Sequence, residues 1–227
     1  FSPEGWRKGQ SENFVACQGE LMTAISAVEP ALRSLPRLDL AQFYMSRAMY
    51  HEAKAVTELM LSDPLNKEES GALIMHAIAS ILIGRPAQGL KDLANPAIGN
   101  SHDSQLWKAL AYARQGKWVD AREKFKNVEF AIASLPLDIQ RIVTMDAMRA
   151  SLEVKDYAGA AKRRAELDVV GVPPELKPAF AVLAGRLAEA LAQDKDALDD
   201  YTFAVKSSDR EAAAEAKQLE IALKQRR

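Results

Sequence analysis

The chain has 227 residues, of which 48% are hydrophobic and 27% charged, a balance that supports a sizeable core and excludes an intrinsically disordered segment. Thirty basic residues against thirty-one acidic ones leave a formal charge of -1, so no global field draws the chain to nucleic acid or to an anionic membrane. One cysteine, Cys17, rules out an internal disulfide and any cysteine-built metal site.

From the N-terminus, Pro3, Gly5 and Gly9 around Trp6 mark residues 1–10 as a tether. An N-terminal helical segment follows over 11–36, with Ser11 as its cap and Phe14, Leu21, Met22, Ile25 and Val28 on its apolar side. Pro30 and Pro36 break up its end. Helix pairs are then expected at 38–47 with 50–62, 67–83 with 86–94, 104–115 with 118–134, 138–154 with 157–168, and 175–192 with 195–207. Asn66 with Glu69, and Ser208 with Glu211, have the spacing of capping boxes. Pro86 suits a first helical position, while Gly84 and Gly116 permit tight reversals between partner helices. Gly171, Pro173 and Pro174 make 170–174 the clearest interruption. A last helix over 209–227 carries Ala212, Ala216, Leu219 and Leu223 on one face and is expected to cap the end of the chain. The longest apolar run, Ala72 to Gly84, is broken by His76 and Ser80 and falls short of the roughly 18 residues of a membrane span. No segment alternates with period two, so an all-α fold is expected. The chain opens at Phe1; any targeting segment is expected upstream of it, and the compartment is left open.

These helix pairs share one pattern. A small residue early in the second helix recurs at Ala53, Gly89, Ala121, Ala160 and Ala197, with gaps of 36, 32, 39 and 37 residues, a period that marks stacked helical hairpins. The third unit, with Ala109, Tyr112, Gly116, Trp118, Ala121 and Phe125, resembles the tetratricopeptide repeat. The first echoes it with Ala41, Tyr44, Tyr50 and Ala53, and the fifth with Gly185, Ala188, Ala197, Tyr201 and Ala204. The second and fourth depart from it at Gly89, Met148 and Arg164. The resemblance implies a right-handed superhelical solenoid of five antiparallel hairpins over 37–208, with a concave groove for a protein or peptide partner. Carried over position by position, it implies a groove lined by Gln42, Met45, Ile78, Ile81, Leu82, Leu110, Ala113, Arg114, Arg149, Leu152, Arg186 and Glu189. The N-terminal part of that lining is apolar and the C-terminal part holds three arginines, which fits a partner with an apolar stretch followed by an acidic one. The competing reading buries Ile78, Ile81 and Leu82 within the protein and pairs the arginines with acids such as Glu153 and Glu189.

Catalytic chemistry has no local signature here. His51, His76 and His102 lie far apart, none at the i, i+4 spacing of a helical zinc site, and no phosphate-binding glycine loop or nucleophile elbow is present. His51–Glu52 and His102–Asp103 are adjacent pairs that diverge on a helix. Lys162, Arg163 and Arg164 spread around a helix, without the interleaved aromatics of a nucleic-acid surface. The expectation is a non-catalytic protein-binding scaffold with no metal, cofactor, nucleic-acid partner or membrane insertion. The alternative is a structural spacer or self-association module, a homo-oligomer.

Overall fold

A computed structural model describes Trp6, residues 9–11 and residues 13–226, except for the side chain of His102. Among the described residues the structure is helical and contains no strand. The chain divides into two compact units, Phe1–Pro136 and Leu137–Arg227.

The N-terminal unit contains α1 (Phe14–Ser26), a short 3-10 helix (Pro30–Leu32), and three hairpins: α2 (Ser34–Ser46) with α3 (Tyr50–Leu61), α4 (Ser70–Leu82) with α5 (Pro86–Leu93), and α6 (His102–Arg114) with α7 (Trp118–Lys124). It ends with α8 (Glu129–Ser134). Successive first helices pack together, α2 on α4 and α4 on α6, each second helix packs on its own partner, and α3 and α5 also pack on the hairpin that follows, α3 on α4 and α5 on α6. The C-terminal unit contains the hairpins α9 (Leu137–Glu153) with α10 (Tyr157–Val170) and α11 (Lys177–Ala190) with α12 (Asp194–Val205), followed by α13 (Arg210–Gln225). Here α9 packs on α11, and α13 packs on both α11 and α12, where the first helix of another hairpin would stand. Its inward face buries Ala212, Ala216 and Leu223, with Leu219 partly buried against the same cluster.

All five hairpins reverse through the same turn. The second residue after the first helix has positive φ in each: Ala48 (56°), Gly84 (81°), Gly116 (70°), Lys155 (60°) and Ala192 (58°). In each, the following N–H donates back five residues to the helix carbonyl, Met49 to Tyr44, Arg85 to Ser80, Lys117 to Tyr112, Asp156 to Ser151 and Gln193 to Ala188, at 2.8–3.0 Å. With the shorter bond from the left-handed residue itself, as from Ala48 to Met45 at 3.1 Å, this is a Schellman motif, which satisfies carbonyls that the helix end leaves orphaned. The small residue of the sequence pattern lies nine positions beyond each accepting carbonyl, and all five small residues are buried. Their role is close approach. A Cβ on Gly89 would lie 2.4 Å from Ile81 Cγ1 and 3.0 Å from the Ala77 carbonyl, so α5 sits on α4 at a distance only glycine permits.

Several local expectations are corrected. Asn13, not Ser11, caps α1, its side chain accepting from Ala16 N at 3.0 Å, and Gly9–Ser11 are already helical. Of the 1–10 tether, Trp6 is instead fully buried in helix; residues 1–5, 7 and 8 lie outside the described residues, as does residue 12. Neither capping box forms as its spacing suggests. Glu69 is itself the cap of α4, accepting from Gly71 N, while Asn66 accepts from the Ser34 hydroxyl at 2.7 Å. Asp209 caps α13, accepting from both Glu211 N and Ala212 N, because a carboxylate one residue nearer to the helix serves the same donors better than Ser208. The expected helix over 118–134 is two helices, since Asn127 adopts φ 60° and the ladder breaks between Lys124 and Glu129 while Phe125 and Val128 stay buried.

Candidate functional site

The expected groove-lining residues take several distinct places. Met45, Ile78, Ile81 and Leu110 are fully buried and Ala113 nearly so; they are core side chains that hold the hairpins of the N-terminal unit together and present nothing to a groove. Helix α4 buries every residue from Met75 to Ile81, so its apolar run is consumed by packing against α2, α3, α5 and α6. Gln42 and Leu82 are half-buried, and Arg114 is exposed.

In the C-terminal unit the expected residues do converge. Arg149 and Leu152 from α9, Arg186 and Glu189 from α11, and Leu219 and Arg226 from α13 and its end gather around one face, and all but Arg149 line a cleft of about 290 Å³ together with Tyr157 and Ala190. The hairpin stacking explains the convergence: Arg149 lies one position after Met148, Arg186 one after Gly185, and these two are equivalent in the repeat, so α9 and α11 present their arginines side by side.

The charges there are mutually satisfied. Arg149 makes a two-pronged bond to Glu215 of α13, Nη1 to Oε1 and Nη2 to Oε2, both at 2.9 Å. Arg186 Nη1 donates to Glu153 Oε1 at 2.7 Å and lies 3.7 Å from Glu215 Oε1. Arg226 pairs with Glu189, whose other oxygen accepts from the Tyr201 hydroxyl at 2.8 Å. Burial works against the Arg149 charge, but the hydrogen bonds it donates to Glu215 and the charges of Glu215, Glu153 and Asp146 outweigh it and hold the guanidinium above its ordinary range. Burial, followed by the bond to Glu189 and its charge, pushes the Tyr201 phenol well up, so it donates to Glu189 throughout the neutral range. The network lies at the edge of the cleft, with side-chain exposures of 28% for Arg149 and 30% for Glu215.

A second constellation lies in the N-terminal unit and has no signature in the sequence. His76 of α4 and Asp92 of α5 are 16 residues apart, on the two arms of one hairpin, and meet at 2.6 Å between Nδ1 and Oδ2. The other Asp92 oxygen accepts from Gln88 Nε2 at 2.9 Å. Both members of the pair are buried, and His76 Nε2 is a buried nitrogen with no hydrogen-bond partner. The ring borders a cavity of about 490 Å³ that Lys54, Glu58, Arg85 and Gln88 also line. Lys54 donates to Glu58 at 2.9 Å, and this bond, then the charge of Lys54 against the cost of burial, lowers the Glu58 carboxyl below its usual range. Only the hairpin's closure brings His76 to Asp92. Sixteen residues apart, the pair lies outside the i, i+3 and i, i+4 spacings of partners on one helix.

Among the described residues no group of three or more His, Cys, Asp or Glu is disposed to hold a metal ion, and no helix is long and apolar enough to cross a membrane. The His102–Asp103 pair involves a side chain outside the described residues. No family model, no curated protein and no solved structure matches the chain.

Proposed function

We propose that this chain is a solenoid of the tetratricopeptide kind, a right-handed superhelix of five hairpins, whose role is the non-catalytic binding of a protein or peptide partner. The observation that carries the reading is the fivefold recurrence of one turn: a left-handed residue and the same back-bond at the sequence period, with a buried small residue five positions after the left-handed one. Recurring reversals, each followed by a buried small residue, give successive hairpins a similar local geometry, and stacking such units builds a curved array with an extended binding face. The partner's seat is the cleft of the C-terminal unit, where Arg186 on the wall and Arg149 at the edge offer planar forks to a carboxylate and Leu152 and Leu219 offer apolar contact. An acidic segment of the partner replaces Glu215 on Arg149. The apolar half of the expected groove has no such seat, because its side chains form the core.

The test is a displayed library of random peptides selected on the protein, followed by a charge swap, Arg149→Glu with Glu215→Arg, which preserves the ion pair and inverts the field on each side of it. Acidic peptides are expected to be selected and to lose about tenfold or more in affinity for the swapped protein, the scale of one charge-assisted bond. Unchanged affinity rejects this seat, and recovery of no peptide rejects the function.

Self-association is the second reading, favoured by large apolar side chains left exposed near the start of the chain, Val15 and Met22 on α1 with Leu32 and Leu35 after it. Light scattering across a hundredfold range of concentration separates the two, because a constant monomer mass removes the self-association reading.

A further inference from the structure

The His76–Asp92 pair is not a feature of the repeat. At the positions equivalent to His76 the other hairpins carry Leu40, Lys108, Ala147 and Ala184, and at those equivalent to Asp92 they carry Val56, Lys124, Arg163 and Asp200. Hairpin packing therefore does not need a buried imidazole with a buried carboxylate, and the second hairpin alone retains them.

Their hydrogen bonds determine what the pair presents. Each Asp92 oxygen takes a donor, His76 on one and Gln88 on the other, so the group acts as an ionised acceptor and Nδ1 of His76 carries the proton it shares. In the neutral ring Nε2 is then a lone-pair acceptor, held in one orientation by the carboxylate behind it. A buried acceptor without a donor is unfavourable, and such a group in a native protein calls for a ligand or a bound water. The adjoining cavity, at about 490 Å³, is within the roughly 300–1,000 Å³ range of ligand clefts. Arg85 at the turn after α4 is exposed and Lys54 of α3 is nearly buried, so cationic groups stand at this cavity, while Glu58 on its wall disfavours a ligand with two or more negative charges at one point.

We propose that this cavity is a binding site for a small hydroxycarboxylate, with the ligand hydroxyl donating to His76 Nε2 and its carboxylate held by Arg85 and Lys54. The site lies wholly in the N-terminal unit and is separate from the peptide seat on α9, α11 and α13.

The experiment is a titration of the ¹⁵N-histidine-labelled full chain with lactate, malate and citrate, with propionate as the analogue lacking the hydroxyl, read on the His76 ring nitrogens. At least one hydroxycarboxylate is expected to move His76 Nε2 saturably with Kd of about 1 mM or tighter, and propionate to bind about tenfold more weakly for want of one hydrogen bond. Arg85→Met, at an exposed position that leaves the core untouched, is expected to weaken binding about tenfold while Nδ1 stays bonded to Asp92. The proposal is overturned if none of the three acids shifts Nε2 below about 10 mM, if lactate and propionate bind alike, or if Arg85→Met retains full affinity.

Discussion

The repeated turn makes a quantitative demand on five residues. Ala48, Lys155 and Ala192 occupy the left-handed conformation that glycine holds at Gly84 and Gly116. A side chain in that region costs about 1–2 kcal/mol through the clash of Cβ with the backbone, whereas introducing glycine costs about 0.5–1 kcal/mol in added freedom of the unfolded chain. Replacing each of the three by glycine is therefore expected to stabilise the fold by about 0.5–1 kcal/mol. The converse, Gly84→Ala, isolates the same term, because a Cβ there meets nothing within 4 Å and the loss of about 0.5–1 kcal/mol is conformational alone. Urea unfolding followed by circular dichroism reads these values as shifts in midpoint at constant slope, and thermal melts should move about 1–4 °C per site. The three substitutions belong to separate hairpins and share no partner, so their effects should add. A fall in stability for Ala48→Gly or Ala192→Gly, of the roughly 1 kcal/mol that glycine costs inside a helix, would refute the shared turn.

Gly89→Ala and Gly185→Ala should each destabilise by about 1–3 kcal/mol, since the new Cβ would lie 2.4 Å from Ile81 Cγ1 or 2.6 Å from Tyr201 Cε1; trimming Ile81 to Val should restore part of the first loss, as urea midpoints would show. Glu215→Gln should weaken the fork on Arg149 and cost about 1 kcal/mol in a partly exposed pair, with a smaller effect at high salt. On the alkaline side, the buried Tyr201 phenol stays protonated in the fold while the unfolded chain ionises near 10.0, so stability is full below that value and declines as pH rises beyond it. Tyr201→Phe should flatten that decline. On the acid side, the Glu58 carboxyl is lowered by Lys54, so its contribution is present above 4.5 and disappears as pH falls through its lowered folded value; Glu58→Gln should remove that part of the acid slope.

Nearest-neighbour chemistry explains what was legible without coordinates. The hairpin limits follow from apolar periodicity, from Pro86 at a helix start and from Gly84 and Gly116 at reversals, all of which act within a few residues of chain, and the observed helices depart from them by a few residues at most, apart from the break at Asn127. The sequence period could also mark the turns at Ala48, Lys155 and Ala192, where no glycine advertises them, because a repeated packing distance places the small residues five positions later. The tertiary structure decided the fate of each face. An apolar stripe states that a surface is to be covered but not by what, and α4 turned out to be enclosed by its neighbours, taking Ile78 and Ile81 into the core. Pairings between distant residues depend on how hairpins close and stack, so Arg149 with Glu215, 66 residues away, and His76 with Asp92, 16 residues away, exist only once the helices have packed.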